Sequence, residues 1–250
     1  MKQLLLKVEN LNLSYKQGLS QPKAAFNLKN ISFSLGHNQS VSIIGDSASG
    51  KTSIMMALLK LIPVDSGNII FEGQNIFQFS PRETQNYRRN VQPVFQRYTE
   101  SLNPLLKIQQ TLTLGLRPGL SCYKQEQQLK ALLKMVHLSF DILNKYPHQL
   151  SGGEAQRVAI ARSLVTDPKV ILLDEPFSAL DVLNQEKLLR VLMTIQKKIK
   201  LSYIFITHKI PLVKFFSDNI YFLSEGKMTK FDNYKTFKTT LDNDFTSKPY

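Results

Sequence analysis

Apolar and polar residues alternate through "LLLKVENLNLSY" and again through "LKNISFSLG", the period of strands exposed on one face. The polar stretch "KQGLSQPK" between them reads as a loop, so the chain opens with antiparallel strands. "SVSIIG" is a short continuous apolar run, as in a buried strand, and "KTSIMMALLKLI" after it carries apolar residues at helical spacing. Turn signals bracket a further strand in "PVDSGNIIFEG", and "SPRETQNYRR" begins a polar helix. From Leu105 to Tyr146 the pattern turns helical, with apolar residues three and four apart in "QEQQLKALLKMVHL". "VILLDEP" and "LSYIFITH" are apolar runs of strands buried on both faces, and "LNQEKLLRVLMTIQKK" between them has the period of a helix. Strand, helix and parallel strand predict a right-handed crossover. The polar stretch 231–250 carries no motif and is expected to be a partly loose tail.

Candidate chemistry begins where "SVSIIG" hands over to its helix. Gly45, Gly50, Lys51 and Thr52 fit G-x-x-x-x-G-K-[ST], a loop whose backbone N–H groups cradle phosphates. The helix start adds unpaired N–H groups and the positive end of the macrodipole. Lys51 is expected to reach the β- and γ-phosphates of a nucleoside triphosphate, and the Thr52 hydroxyl to ligate Mg²⁺.

Asp174 and Glu175 close "VILLDE" at the C-terminal end of a strand, the end at which open α/β sheets bind ligands. Hydrolysis needs a partner for Mg²⁺ and a group acting on the attacking water, and the expectation is Asp174 for the metal and Glu175 for the water. A second anion site is expected at "LSGGEAQRVAIARSL": Ser151 and Glu154 have capping-box spacing, and Gly152 and Gly153 leave the first backbone N–H groups open.

Composition narrows the class without choosing the chemistry. The 250 residues, 42% of them hydrophobic, suffice for one large domain with an inserted lobe. One cysteine, Cys122, excludes an internal disulfide and a cysteine zinc cluster. Lys7, Glu9 and Asn10 interrupt the leucines near the start, so no cleaved leader is expected, and no run is long enough to span a bilayer. A net charge of +13 favours an acidic partner, either nucleic acid or an anionic membrane surface. His37, His137 and His148 are expected on the surface or in packing, with no metal, and Met55 and Met56 as core filling.

Taken in order, these strings resemble the ATP-binding subunits of ABC transporters over residues 4–230. "GDSASGKT" resembles their Walker A, "VILLDE" their Walker B, "LSGGEAQR" their signature and "SALD" their D-loop. The resemblance implies a single α/β domain over 1–250: a P-loop NTPase (RecA-like) core, an N-terminal antiparallel β subdomain and an α-helical subdomain inserted at about 97–160. It implies ATP binding by Gly45, Asp46, Ser47, Ala48, Ser49, Gly50, Lys51, Thr52 and Ser53, with Tyr15 stacking on adenine unless Phe26 supplies the ring. Catalytic roles fall to Glu175, to Gln96 as the Q-loop glutamine and to His208 as the switch histidine, and Mg²⁺ to Thr52, Gln96 and Asp174. Ser151, Gly152, Gly153 and Glu154 would close in trans over ATP held by a second ATPase subunit, with Asp181 in the D-loop.

"SLNP" and "YPH" are similar to segments of the peptide/nickel importer branch, which handles peptides, nickel or metal complexes. The implied partners are membrane-spanning permease subunits, a second ATPase that is a different chain or a copy, and, indirectly, an extracytoplasmic solute-binding protein. The implied place is the cytoplasmic face of the cell membrane, and the segment from Ser101 to Leu106 would receive a permease helix. Three positions depart from the family: Ala48 replaces a usual glycine, and Arg97 and Lys209 stand where aspartate is usual. The charge keeps a nucleic-acid-associated ATPase of the same superfamily as an alternative. The chain has one cassette, no heptads and no zinc module, so no nucleic acid is expected as partner. A regulatory module that binds ATP without turnover is opposed by Glu175 and His208.

Overall fold

The computed structural model describes residues 4–16, 24–178 and 180–246, with the backbone alone at 15, 16, 24–26 and 242–246. The elements begin with β1 (Leu4–Lys16), β2 (Ala24–Gly36), β3 (Ser40–Gly45), α1 (Lys51–Leu58), β4 (Ser66–Phe71), β5 (Gln74–Asn75) and α2 (Pro81–Asn90). There follow β6 (Val91–Val94), α3 (Ile108–Thr113), α4 (Cys122–Met135), α5 (Gly152–Leu164), β7 (Val170–Asp174) and α6 (Val182–Ile199). The chain closes with β8 (Ser202–Thr207), α7 (Ile210–Val213), β9 (Asn219–Ser224), β10 (Lys227–Phe231) and α8 (Tyr234–Thr246). Two compact units result, Met1–Gln85 with Ser202–Tyr250, and Asn86–Leu201, and the chain passes from the first to the second within α2.

The first unit holds two sheets. The opening alternation forms an antiparallel sheet in the order β2-β1-β4-β5. The β1–β2 register shifts between Val8 and Leu11, where Asn10 takes φ 48° and Asn30 takes φ 53°, the left-handed region that asparagine tolerates. Asn12 satisfies this irregular backbone: its Nδ2 donates to Asn10 O at 2.8 Å, and its Oδ1 accepts from Asn30 N at 3.0 Å. Gly67, at φ +99°, passes so close that a Cβ there would lie 2.5 Å from Asn10 O and 2.6 Å from Leu11 Cα.

In the other sheet β3 runs parallel to β8 and β9, and β10 closes the edge antiparallel to β9. Every residue of β3 and β8 is buried, as continuous apolar runs predict. Ile44, Val213, Ile220 and Phe237 form one core cluster, with Phe222, Phe231 and Tyr234 packed against it.

That cluster corrects the expectation for the chain's end, because the stretch read as a partly loose tail forms α8. Tyr234, Phe237 and Leu241, spaced for one helical face, pack on the cluster, and Phe237 is fully buried among polar neighbours in sequence.

In the second unit β6 and β7 pair in parallel, and α5 packs on β6, α3 and α4. The buried face of α5 is Ala155, Val158, Ala159, Ile160 and Leu164, small enough for close helix packing. Helix α6 buries Leu188, Leu189, Val191, Leu192 and Ile195, with Lys197 and Lys198 in its last turn, where their charge complements the macrodipole. Among the described residues no helix is long and apolar enough to cross a membrane.

Candidate nucleotide site

In the first unit the glycine-rich loop joins buried β3 to α1, as the spacing predicts. Gly45 must be small, since a Cβ would lie 2.9 Å from Ser49 Oγ and press on the Leu223 carbonyl of β9. Two left-handed residues curl the loop: Ala48 at φ 63° and Gly50 at φ 100°. Ser49 N donates to Asp46 O at 3.1 Å across the turn. Lys51 is buried, 7% exposed, and its Nζ donates to Gly45 O at 2.7 Å and Asp46 O at 2.6 Å, with Ser49 Oγ 3.4 Å away.

No side chain caps the start of α1, and its first turn contains no acid. The first N–H groups therefore form an electropositive mouth beside the buried ammonium, which fits a polyphosphate. Thr52 is exposed in that first turn and Ser53 is half-buried. Thr207 pairs with Ile44 across β8 and β3, so His208 emerges at the loop end of the neighbouring strand, exposed. Lys209 N donates to Thr207 Oγ1 at 3.0 Å and Ile210 N to His208 O at 3.0 Å, which fix the turn after the histidine. The side chains of Tyr15 and Phe26 lie outside the described residues.

In the second unit Val94 of β6 pairs with Leu173 of β7, so Gln96 and the Asp174–Glu175 pair issue from the same strand ends. Asp174 is buried, 5% exposed, and Glu175 is half-buried at φ 48°. A left-handed glutamate costs strain, and its surroundings hold it there. Ser178 N and Oγ both donate to Glu175 O, at 3.1 and 3.0 Å. Gln156 Nε2 of α5 donates to Pro176 O, and Gln185 Nε2 of α6 donates to Phe177 O at 3.2 Å and Leu180 O at 2.8 Å. Asp181 caps α6, its carboxylate accepting from Asn184 N at 2.9 Å and Asn184 Nδ2 at 2.6 Å, and the Asn184 N–H bond holds its pKa below the ordinary value. Residue 179 of "SALD" lies outside the described residues.

The capping box at α5 forms as expected. Ser151 Oγ accepts from Glu154 N at 3.3 Å, and Glu154 Oε2 accepts from Ser151 N at 2.8 Å. The bond from Ser151 N lowers the Glu154 pKa most, followed by the Ser151 hydroxyl, with Lys145 Nζ at 3.3 Å adding to both. This arrangement uses the N–H of Glu154 and leaves the Gly152 and Gly153 backbone open at the helix start. A Cβ on either glycine would meet no atom closer than 3.6 Å.

Sequence reading did not find Gln156 and Gln185, the side chains that hold the turn after Glu175. A signal existed for Gln156, a polar residue on the apolar face of α5, 3% exposed. Nothing local pointed to Gln185.

Comparison with known proteins identifies the family and the fold. The profile described as ABC transporter matches residues 28–178. The chain is 35% identical to the oligopeptide transport ATP-binding protein OppF of Streptococcus mutans serotype c, over 90% of this chain and 74% of that protein. The solved structure of cbiO1 from Clostridium perfringens, part of the ABC transporter complex cbiONQ, matches with a TM-score of 0.82 at 27% identity, covering 95% of this chain and 92% of that one. A dimeric ATP-binding cassette in a post-hydrolysis state, bound to ADP and Pi, matches with a TM-score of 0.79 at 29% identity, covering 91% and 98%. Fold and motifs together define an ATP-binding cassette. The chain belongs to the ABC transporter family, and it is a nucleotide-binding ATPase.

Proposed function

We propose that this chain is the energy-coupling subunit of a peptide importer, hydrolysing ATP on the cytoplasmic face of a membrane in which separate permease subunits carry the cargo. The observation that carries this reading is an uncapped α1 start with a buried Lys51 in a chain akin to an oligopeptide transport ATP-binding protein. Lys51 and the loop N–H groups bind the β- and γ-phosphates.

Glu175 takes the proton of the attacking water, Gln96 orients that water, and His208 contacts the γ-phosphate. Thr52 offers a hydroxyl, Asp174 a carboxylate and Gln96 an amide carbonyl, hard oxygen donors of the kind Mg²⁺ takes. When bound, Mg²⁺ neutralises charge on the β- and γ-phosphates. Asp46, Ser47, Ala48, Ser49, Gly50 and Ser53 shape the loop around them.

The start of α5, Ser151 to Glu154, serves ATP held by a second ATPase subunit, and Asp181 belongs to the same contact. Leu105, 82% exposed in the segment after Gln96, offers an apolar contact for a permease helix. An extracytoplasmic solute-binding protein would deliver peptide to those permeases. Isolating the chain from membranes in mild detergent and identifying what accompanies it tests this reading. Permease subunits and a second ATPase are expected; nucleic acid in their place would overturn it.

A further inference from the structure

The start of α5 is bounded by two side chains that the proposed function leaves idle. Tyr98, two residues after Gln96, brings its hydroxyl to 3.6 Å from the position a Cβ on Gly152 would occupy. Arg157, one helical turn along α5, leans back so that its Nη1 lies 3.8 Å from the corresponding position on Gly153. Its Nε is buried and bonds to no protein atom among the described residues. The Glu154 carboxylate in this turn is tied to Ser151 N and Lys145.

Tyr98 is held where it stands. Ser101 N and Oγ donate to Tyr98 O at 3.2 and 2.6 Å, and Arg162 Nη1 of α5 donates to Ser101 O at 2.5 Å. The segment after Gln96 is thereby fastened along the same helix whose first turn carries Ser151 and the two glycines.

Resting on the reading of this turn as the receiver of a partner's ATP, the geometry points to Tyr98 as a further substrate-contacting residue. Its O–H donates to a phosphate oxygen of that ATP, beside the same helix start that Arg157 approaches. The two side chains add donors to the backbone N–H groups of the helix start. Because Tyr98 and Gln96 share one short segment, the contact ties occupancy of the signature to the position of the glutamine.

Tyr98→Phe removes the donor and keeps the ring. A hydrogen bond to a charged group is worth about 1.5–3 kcal/mol, so turnover should fall about tenfold or more. ATP affinity of the separate chain, which reads its own Lys51 loop, should stay within about twofold of the unmodified chain. Steady-state phosphate release by the assembled pair, with Lys51→Ala in this chain so that only the companion's ATP turns over, and a direct ATP titration of the separate chain with Lys51 intact give the two values. Unchanged turnover in Tyr98→Phe, or a loss explained by weaker ATP binding to the separate chain, overturns the contact. Turnover in that pair that survives Ser151→Arg would overturn the reading of this turn as the receiver of a partner's ATP, on which the proposal rests, and a failure of Tyr98 alone leaves that reading standing.

Discussion

Replacing Ala48 by glycine should stabilise the protein, against the usual effect of deleting a methyl group. Alanine at φ 63° carries a left-handed penalty of about 1–2 kcal/mol, which glycine escapes. Glycine also gives the unfolded chain more freedom, which offsets about 0.4–1 kcal/mol of the gain. The methyl is exposed, so little apolar burial is lost. The balance is a gain of about 0.5–1 kcal/mol, or about 1–4 °C in the thermal midpoint for a chain of this size. Thermal unfolding followed by far-ultraviolet circular dichroism, without nucleotide, reads the shift. Gly50→Ala is the opposite control, since φ 100° suits glycine alone, and its midpoint should fall. ATPase turnover should rise in Ala48→Gly as the loop closes on phosphate without strain. A midpoint lowered by about 2 °C or more would refute the strain argument.

Lys51→Ala should weaken ATP binding itself, measured by direct titration, because it removes a charge-assisted contact to the phosphates; unchanged affinity would contradict the cradle. Glu154 has its pKa held below the ordinary value, so its contribution to stability is present above the carboxylate range and lost as pH falls through the folded-state value. Denaturation at a series of pH values should therefore show Glu154→Gln less stable than the unmodified chain near neutrality, with the gap closing in acid; a gap that widens in acid would reverse the sign. Gly67→Ala should destabilise by more than about 1 kcal/mol, since the new Cβ meets the backbone of Asn10 and Leu11; a neutral result in urea denaturation would show that this bulge yields.

Much of the site is legible from local pattern because its chemistry is local. The loop from Gly45 to Thr52 lies between a buried run and a helical period, and the Ser151–Glu154 box is four residues long. Both depend on backbone N–H groups that the adjoining residues position. What escapes the sequence depends on conformation or on distant partners. Nothing in the letter alanine tells that Ala48 sits at positive φ, and Glu175 at φ 48° would not be guessed from an acid after an apolar strand. The bond from Gln156 to Pro176 joins residues from separate elements, so no window of sequence contains it. Helix α8 was hidden because Tyr234, Phe237 and Leu241 are dispersed among lysines and threonines, and their shared face exists only once they meet Ile220 and Val213.

In the proposed mechanism Glu175 is the group that takes the proton of the attacking water. Glu175→Gln is nearly isosteric and cannot accept that proton, so in an assembled pair whose companion's own nucleotide site is disabled, steady-state phosphate release from ATP should fall about a hundredfold or more. Bound ATP, measured on the same preparation, should remain. Phosphate release within about threefold of the same pair with Glu175 intact would contradict the assignment of Glu175 to the chemical step.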